Sequence, residues 1–461
     1  MSGKIPEPIT KLLLSVPSQL PDDLNQIDRN GIVSTPSDET KNTQKRLGII
    51  WPGFRYYNEA LFRIITEDRR FKTSILWILK FQEDEVPPAD ILSSMHWRVV
   101  GTDSIRVSGY NLKTLIKMIF LVWRTVHESD GVLTSTQAPL HSKVAFACAK
   151  ILKKKIFIKT EQWLDLERPS PLMKLYKKID FYLMRNCDML LPHGTNQLQF
   201  AASKGVSQSM MRLMPMLSKD LRGMKINNPA LKKELGISEK KVILYFGRII
   251  RQKGLKDLLL ACVRIKKALG NTTVVVCGGV ERHVSDFSDS VSYEGECRKL
   301  ADAQLPGMVI FTGPIASSDK HNYFQLADLF VHPHGSKSSD GWGLVINEAT
   351  SMALPVIVSD RVGSAPDLVV NGENGYIVGA GDVDELSRRI EELITDDEKR
   401  KFMAARSRSL FEKYHQPQQI PEILWEALHS KNCLDPTDSG LTRISHEHCV
   451  DFQKLPDIPT H

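Results

Sequence analysis

The sequence predicts an α/β protein built from two doubly wound domains that face each other across a cleft. Short apolar runs rich in Val, Ile and Leu alternate with helix-like segments along most of the chain. This alternation is typical of βαβ units, in which helices cover a parallel sheet on both faces. The series of runs occurs twice, and a polar stretch at residues 219–241 separates the two series.

Each apolar run usually ends in Gly, Thr, His or Asp, which is where a buried strand would reach the edge of its sheet. In the first series the expected strands are RLGIIWPG, TSILWIL, WRVVG, GVLTST, KIFIKT and DMLLPHG. In the second series they are KVILYFGRI, TTVVVCGG, MVIFTG, LFVHPH and PVIVSD. Since ligands of such sheets bind beyond the carboxyl ends of the strands, the cleft is the expected site.

A chain of 461 residues is longer than one hydrophobic core normally organises, so two domains with flanking segments are expected. Residues 1–45 are polar and rich in Pro, and they predict an irregular leader. We place the first domain at 46–222 and the second at 223–415. Residues 416–461 predict a helix, with Pro421 near its start, and a polar tail. This helix is expected to pack back on the first domain.

Composition and charge limit the classes of partner. The 61 Lys and Arg residues exceed the 54 Asp and Glu residues by seven, a mild excess that suits anionic ligands or an anionic membrane and does not require nucleic acid. The seven Cys residues are scattered, which argues against a disulfide framework and indicates a cytoplasmic protein. The longest apolar stretch, Leu115–Trp123, contains Lys117 and is too short to span a bilayer.

Two segments of the second domain are suited to phosphate binding. In KVILYFGRIIRQKGL, Arg248 and Lys253 follow a strand, and a guanidinium beside an ammonium suits a diphosphate. The alternative is a solvated basic loop. In DGWGLVINEATSMA, Leu344 to Met352 predicts a helix after two glycines, and a helix start can bind an anion.

Two carboxylates flank that helix start. Asp340 precedes it, and Glu348 lies one turn inside it, where its carboxylate could accept hydrogen bonds from ribose hydroxyls. Gly341 and Gly343 leave room for a phosphate between the acids. The alternative is a capping residue followed by an exposed helix carboxylate.

The ordered segments YFGRI, VVVCGG, VIFTGPI, YFQLADLFVHP, DGWGLVINEA, LPVIVSD and GSAPDLVVNGENGYIV resemble those of retaining GT-B glycosyltransferases of family four. The resemblance covers residues 240–400 strongly and the first domain weakly. It implies two Rossmann-like domains, the first binding an acceptor and the second a nucleoside-diphosphate sugar. It also implies metal-independent front-face transfer without a cofactor, in which the leaving phosphate takes the acceptor proton.

The same resemblance assigns roles to individual residues. Glu348 would bind the ribose, and Asp340 would contact the transferred sugar beside its anomeric carbon. Arg248 and Lys253 fall on the pair that binds the diphosphate. Asp340 departs from the family pattern, because the usual Glu is longer by one methylene group.

Other matched positions lie in the loops around the cleft. Backbone amides of Gly343 and Leu344 would meet the donor, and Ile315 falls near the loop that binds the base. Gly53, after the first strand, loosely matches a loop that approaches the donor phosphate and the acceptor. The neighbouring residues 55–57 could line an acceptor pocket or simply begin a helix.

Glu161 ends the strand KIFIKT at a position where many relatives carry a His. A carboxylate there could accept a hydrogen bond from the acceptor hydroxyl or hold the donor sugar, so we predict that Glu161 and Asp340 are the catalytic residues. No metal ligands are expected. Asp382 and Asp384 are interpreted as the cap and first turn of a helix. His332 and His334 have no carboxylate at metal-like spacing and are expected to line the cleft.

Residues 111–126 and the lysines near 153–155 and 174–178 leave two alternatives open. An amphipathic basic face could rest on anionic lipid, as such faces do in the family. Otherwise the helix is a buried crossover with solvated lysines.

The sequence therefore predicts transfer of a sugar from a nucleotide sugar to a glycan or lipid-linked acceptor. A nucleotide-sugar epimerase, or a catalytically weak nucleotide-sugar-binding protein, is the alternative.

Overall fold

The computed structural model describes residues 44–54, 58–79, 86–102, 110–135, 140–164, 171–224, 228–238, 240–280 and 287–429. The strands are β1 (Lys45–Trp51), β2 (Phe71–Leu79), β3 (His96–Thr102), β4 (Gly131–Ser135), β5 (Lys155–Thr160), β6 (Met189–Pro192), β7 (Lys241–Phe246), β8 (Thr272–Cys277), β9 (Val309–Gly313), β10 (Leu329–His332), β11 (Val356–Ser359) and β12 (Gly375–Val378). The predicted leader, tail and residues 55–57 lie largely or wholly outside the described residues.

Helices connect the strands in both domains. The first domain contains α1 (Glu59–Glu67), α2 (Ala89–Ser93), α3 (Leu112–Glu128), α4 (His141–Ile151), α5 (Pro171–Asn186) and α6 (Thr195–Ser203). The second contains α7 (Asn228–Glu234), α8 (Leu255–Arg264), α9 (Lys266–Leu269), α10 (Phe287–Gln304), α11 (Lys320–Leu326), α12 (Leu344–Ser351), α13 (Ala365–Leu368), α14 (Val383–Thr395) and α15 (Asp397–Tyr414). The last described helix is α16 (Gln419–His429).

The two sheets share one topology, and the predicted pair of doubly wound domains is confirmed. The first sheet has the order β3-β2-β1-β4-β5-β6 and the second β12-β11-β10-β7-β8-β9, with parallel pairing in both. The strand order reverses beside β1 and β7, which is the switch point where doubly wound sheets bind ligands. The prediction missed β12, because four residues that begin with Gly375 do not form a distinct apolar run.

Successive side chains of a strand point to opposite faces of the sheet, so each face has its own hydrophobic core. In β7, Ile243 and Tyr245 pack against α8 and α14, whereas Val242 and Leu244 pack on the side of α12. Side chains two residues apart share a face, so a fully apolar strand serves both cores. Both cores are needed to hold the loops at the carboxyl edge in fixed positions.

Helix α16 returns to the first domain, as predicted. Leu424 and Leu428 join the core below β1, and Arg70 binds Glu422 through two hydrogen bonds of 2.9 and 2.7 Å. Near the chain's first passage between the domains, Asp220 makes a similar pair with Arg408 of α15, at 2.8 and 2.7 Å. The two passages of the chain between domains are therefore tied together.

Helix α3 is half buried, so it is not a wholly buried crossover helix, and contact of its exposed face with a membrane stays a prediction. Met118, Val122 and Val126 enter the core, while Leu112 and Ile119 remain exposed. No helix among the described residues has both the length and the apolar character needed to cross a bilayer.

Asp367 of α13 caps helix α6 across the interface between the domains. Both carboxylate oxygens accept from the backbone amide of Thr195 at 3.1 Å, and the Thr195 hydroxyl donates to Oδ1 at 2.7 Å. A side chain on Gly194 would clash, because its Cβ would lie 2.3 Å from Oδ2 of Asp367. The two domains therefore contact each other at position 194, where only glycine leaves enough room.

Burial raises the pKa of Asp367 to about 7 from an ordinary value of 3.8, although the bonds from Thr195 act in the opposite direction. Between these values the folded protein binds more protons than the unfolded chain, so stability falls as pH rises from about 4 to about 7.

We expect Asp367→Asn to lose this contribution of the Asp367 carboxyl to the pH dependence of stability. Its Tm should fall less than that of the wild type between about pH 5 and about pH 8. Parallel pH profiles of Tm for the two proteins would contradict this assignment.

Candidate active site

Asp340 lies in the loop after β10, where the second domain contacts the first. Its Oδ2 accepts from Nζ of Lys253 at 2.5 Å and contacts Nε2 of His332 at 3.1 Å. Burial opposes ionisation of Asp340, but the Lys253 charge and the His332 hydrogen bond outweigh it and hold the pKa of the carboxyl well below its usual range. Asp340 is therefore a fixed anion at neutral pH.

The basic turn reaches Asp340 because Gly254 allows two backbones to touch. Lys253 ends a 3-10 turn, and Gly254 follows with a φ of +68°. A Cβ on Gly254 would lie 1.7 Å from the carbonyl oxygen of Pro333. Arg248 begins the same segment with an exposed side chain, and its carbonyl accepts from the Tyr245 hydroxyl at 3.0 Å.

Helix α12 begins beside the same carboxylate, and the predicted helix start at Leu344 is confirmed. Gly343 caps it with a φ of +83°, and a Cβ there would lie 3.6 Å from Oδ2 of Asp340. The first amides of a helix lack intrahelical partners and carry partial positive charge. Lys253 and this helix start thus lie beside the same carboxylate, and the predicted binding of a diphosphate by Arg248 and Lys253 stays a prediction.

Glu348 is buried and ion-paired, so its interpretation as an exposed helix carboxylate is wrong. It contacts the ammonium of Lys320 in α11, and both side chains are almost inaccessible to solvent. Burial raises the pKa of Glu348, an effect that the Lys320 charge opposes. Sequence reasoning missed Lys320, although Lys320 and Phe324 are spaced for one buried helix face.

On the first domain, Glu161 directly follows β5 and lies against the loop that contains Asp340 and Gly341. Its Oε1 is 3.3 Å from Nζ of buried Lys159 and 3.5 Å from Nε2 of His193. Burial disfavours the charged form, but Lys159 and His193 outweigh it and lower the pKa of Glu161 to about 2. A Cβ built on Gly341 would be 3.4 Å from Oε2 of Glu161, so Gly341 faces the other domain.

His193 is a site residue that the sequence analysis did not single out. It follows β6 and is fully buried, with Nδ1 2.9 Å from the carbonyl oxygen of Met214. Burial, together with the Lys159 charge, lowers its pKa, so its ring is neutral near pH 7. The sequence could have identified His193 by its position, because it is the polar residue that follows the apolar run DMLLP.

Two predicted residues lie at the same sheet edges but away from the central cluster. Gly53 follows β1, where a Cβ would pack at 3.3 Å from Leu79. Ile315 follows β9 and is half buried against the core on the α12 side of the second sheet. Their roles toward the acceptor and the base stay predictions.

The expectation that no carboxylate approaches His332 and His334 is wrong. Ligand atoms of His332, His334 and Asp340 lie within 4.8 Å of one another, a grouping that could hold a metal ion. Lys253 binds Asp340 and Ser338 lies 3.0 Å from Nε2 of His334, whereas Nδ1 of His332 and of His334 has no hydrogen-bond partner among the described residues. The predicted helix cap is confirmed, because Asp382 accepts from the amide of Glu385.

The chain is similar in sequence to known glycosyltransferases. Residues 227–410 match the family described as glycosyl transferases group 1. A capsular polysaccharide biosynthesis glycosyltransferase, CapM of Staphylococcus aureus, is 27% identical over 69% of this chain and 80% of its own length. A GDP-mannose-dependent alpha-(1-6)-phosphatidylinositol monomannoside mannosyltransferase of Mycobacterium tuberculosis is 27% identical over 46% of this chain. The match spans about half (53%) of that relative.

The fold matches solved structures over nearly their whole length. Anabaena Alr3699/HepE in complex with UDP has a TM-score of 0.67 at 18% identity, covering 84% of this chain and 99% of that one. WaaG, a glycosyltransferase involved in lipopolysaccharide biosynthesis, has a TM-score of 0.60 at 16% identity, covering 84% and 100%. At these identities the likeness concerns the fold.

The buried pair of Lys320 and Glu348 makes a stability prediction. Lys320→Met leaves a buried carboxylate unpaired, and we expect unfolding by urea to show a loss of about 3–5 kcal/mol. Adding Glu348→Gln should recover much of that loss. As a control, Lys399→Met breaks a partly exposed pair with Glu392 and should cost about 1 kcal/mol or less. Equal losses in the two single variants would contradict the buried-pair interpretation.

Proposed function

We propose that the sugar donor is a nucleoside-diphosphate sugar and that transfer retains the anomeric configuration. The chain belongs to the glycosyl transferases of group 1, whose family model matches residues 227–410. The observation that carries the proposal is the convergence of Lys253 and the start of α12 at Asp340. A cation and a helix amino terminus at one position suit a pyrophosphate.

The second domain would stabilise the leaving group. As the bond to the anomeric carbon breaks, negative charge grows on the diphosphate, and preorganised donors lower the energy of that state. Lys253 would bind the phosphate while it keeps its contact with Asp340, and Arg248 and the amides at Gly343 and Leu344 would add further donors. Glu348 would hold the ribose, and the loop at Ile315 would meet the base.

Two ionised carboxylates would face the developing positive charge on the sugar. Asp340 approaches from the second domain and Glu161 from the first, and neighbouring ammonium groups keep both ionised. Oxocarbenium-like centres are stabilised by such carboxylates. Glu161 would also orient the acceptor hydroxyl, and the loop at Gly53 would approach the acceptor. Neither step requires a metal or a cofactor.

Relatives support the substrate classes. CapM is named for capsular polysaccharide biosynthesis, and the mycobacterial relative for GDP-mannose and a phosphatidylinositol mannoside. HepE is described in complex with UDP. We therefore propose a glycan or lipid-linked acceptor and leave the base as uracil or guanine.

The first domain carries a surface suited to peripheral membrane contact on the cytoplasmic side. On α5, Leu175, Ile179 and Tyr182 are exposed at helical spacing, and Lys174 and Lys178 flank them. Apolar side chains with lysines beside them bind the interface of anionic bilayers. Such contact would bring a lipid-linked acceptor to the cleft.

The proposed chemistry is tested with a panel of UDP- and GDP-sugars, by measuring nucleoside diphosphate release with and without glycan and lipid acceptors. We expect acceptor-dependent release, and product NMR should show retained anomeric configuration. Lys253→Ala should lower kcat about a hundredfold or more. Lys256→Ala, a control one turn away whose lysine pairs with Glu296, should stay within about twofold of the wild type.

Two results would count against sugar transfer. Equal turnover in Lys253→Ala and Lys256→Ala would refute the role given to Lys253. Conversion of the donor to an isomer without any acceptor would instead identify an epimerase.

Membrane contact is tested by vesicle flotation. Leu175→Gln/Ile179→Gln should weaken binding to phosphatidylserine vesicles several-fold, since it removes apolar area from the interface. Phe402→Gln, which changes a similarly exposed side chain on the second domain, should not. Equal binding of the α5 variant and the wild type would exclude α5 as the contact surface.

A further inference from the structure

The backbone of the Asp340 loop is held by side chains of the opposite domain. The indole Nε1 of Trp163, after β5, donates to the carbonyl oxygen of Asp340 at 2.8 Å. The amide Nε2 of Gln197, in the first turn of α6, donates to the carbonyl oxygen of Gly341 at 2.6 Å. Two hydrogen-bond donors from the first domain thus bind consecutive backbone carbonyls, those of Asp340 and Gly341.

Both donors are buried, and their geometry indicates a specific role. Trp163 and Gln197 are almost inaccessible to solvent. The carbonyl of Asp340 also accepts from the amide of Gly363 at 3.0 Å, so two donors use its two lone pairs. Oε1 of Gln197 has no hydrogen-bond partner among the described residues, and leaving a buried carbonyl unpaired is unfavourable. The Gln197 side chain therefore contributes through its N–H group, which binds the carbonyl of Gly341.

Glycines allow the first domain to reach this loop. A Cβ on Gly363 would lie 2.7 Å from Nε2 of Gln197 and 2.2 Å from the carbonyl oxygen of Gly341. Gly341 itself packs against Glu161. The contact exists only while the two domains are together, whereas Lys253 and His332 hold the Asp340 side chain from within the second domain.

We propose that Trp163 and Gln197 are positioning residues that place the Asp340 loop for catalysis when the domains close. This inference rests on the proposed function, in which Asp340 faces the transferred sugar. The second domain alone binds the nucleoside diphosphate through Arg248, Lys253 and Glu348. The acceptor domain then aligns the loop, so that the carboxylate reaches its working position only beside Glu161.

The test uses Trp163→Phe and Gln197→Leu, which keep a buried side chain at each position and remove one hydrogen-bond donor each. We expect kcat for sugar transfer to fall about tenfold or more in each variant, the effect of one lost hydrogen bond in the reacting state. The KM for the donor and the Kd for UDP or GDP should stay within about twofold, because their ligands lie in the second domain. The double variant should lose less than the product of the two effects.

Thr195→Val is the matched control. It removes a hydrogen bond between the domains from the same helix, two residues before Gln197, but the bond ends on Asp367 instead of the Asp340 loop. We expect its kcat to stay within about twofold of the wild type. If Thr195→Val lowers kcat as much as Gln197→Leu, general adhesion between the domains explains the effect and the proposal fails. Unchanged kcat in Trp163→Phe and Gln197→Leu overturns it as well.

Hydrogen exchange separates this inference from the proposed function. Amides at 340–344 should exchange faster in Trp163→Phe and Gln197→Leu than in the wild type or Thr195→Val. Unchanged exchange there overturns the inference even if sugar transfer is confirmed. Faster exchange in a protein that binds UDP or GDP but transfers no sugar supports the placement of the loop and rejects the proposed function.

Discussion

The contact between Lys253 and Asp340 is the interaction on which the site depends. A carboxylate with so little access to solvent requires a partner, because an unpaired buried charge is strongly unfavourable. The partner can approach only because Gly254 accepts a left-handed conformation against Pro333. His332, kept neutral by burial, supplies the second contact and fixes the orientation of the carboxylate. Asp340 is therefore held even though it is shorter than the Glu of the family.

Each domain contributes a separate group of charged residues. The second provides Lys253, the start of α12 and, one turn inside that helix, Glu348. The first provides Glu161, with Lys159 and His193 around it, at the corresponding edge of a sheet with the same strand order. In the proposed function, the second domain would stabilise the leaving diphosphate and the first would face the acceptor. Catalysis would then depend on how the two edges meet.

The sequence predicted the features that follow from local periodicity. Apolar runs alternating with helices indicated both sheets, and the glycines before Leu344 indicated the helix start. It did not predict the pairing of Lys320 with Glu348, because 28 residues separate them and no periodic pattern links a residue of one helix to another helix. It missed the contact of His332 with Asp340 for a related reason, since the loop between them turns back on itself. His193 and β12 were missed because single strand-end residues and four-residue strands leave little pattern.

The return of α16 to the first domain has a mechanical consequence. The polypeptide crosses between the domains twice, once between α6 and β7 and again after Tyr414, and the pair of Asp220 and Arg408 ties the two crossings together. Two lobes joined by paired, tethered crossings cannot separate or slide freely. Their easiest relative movement is a rotation about an axis through that ion pair, which would change the distance between Asp340 and Glu161.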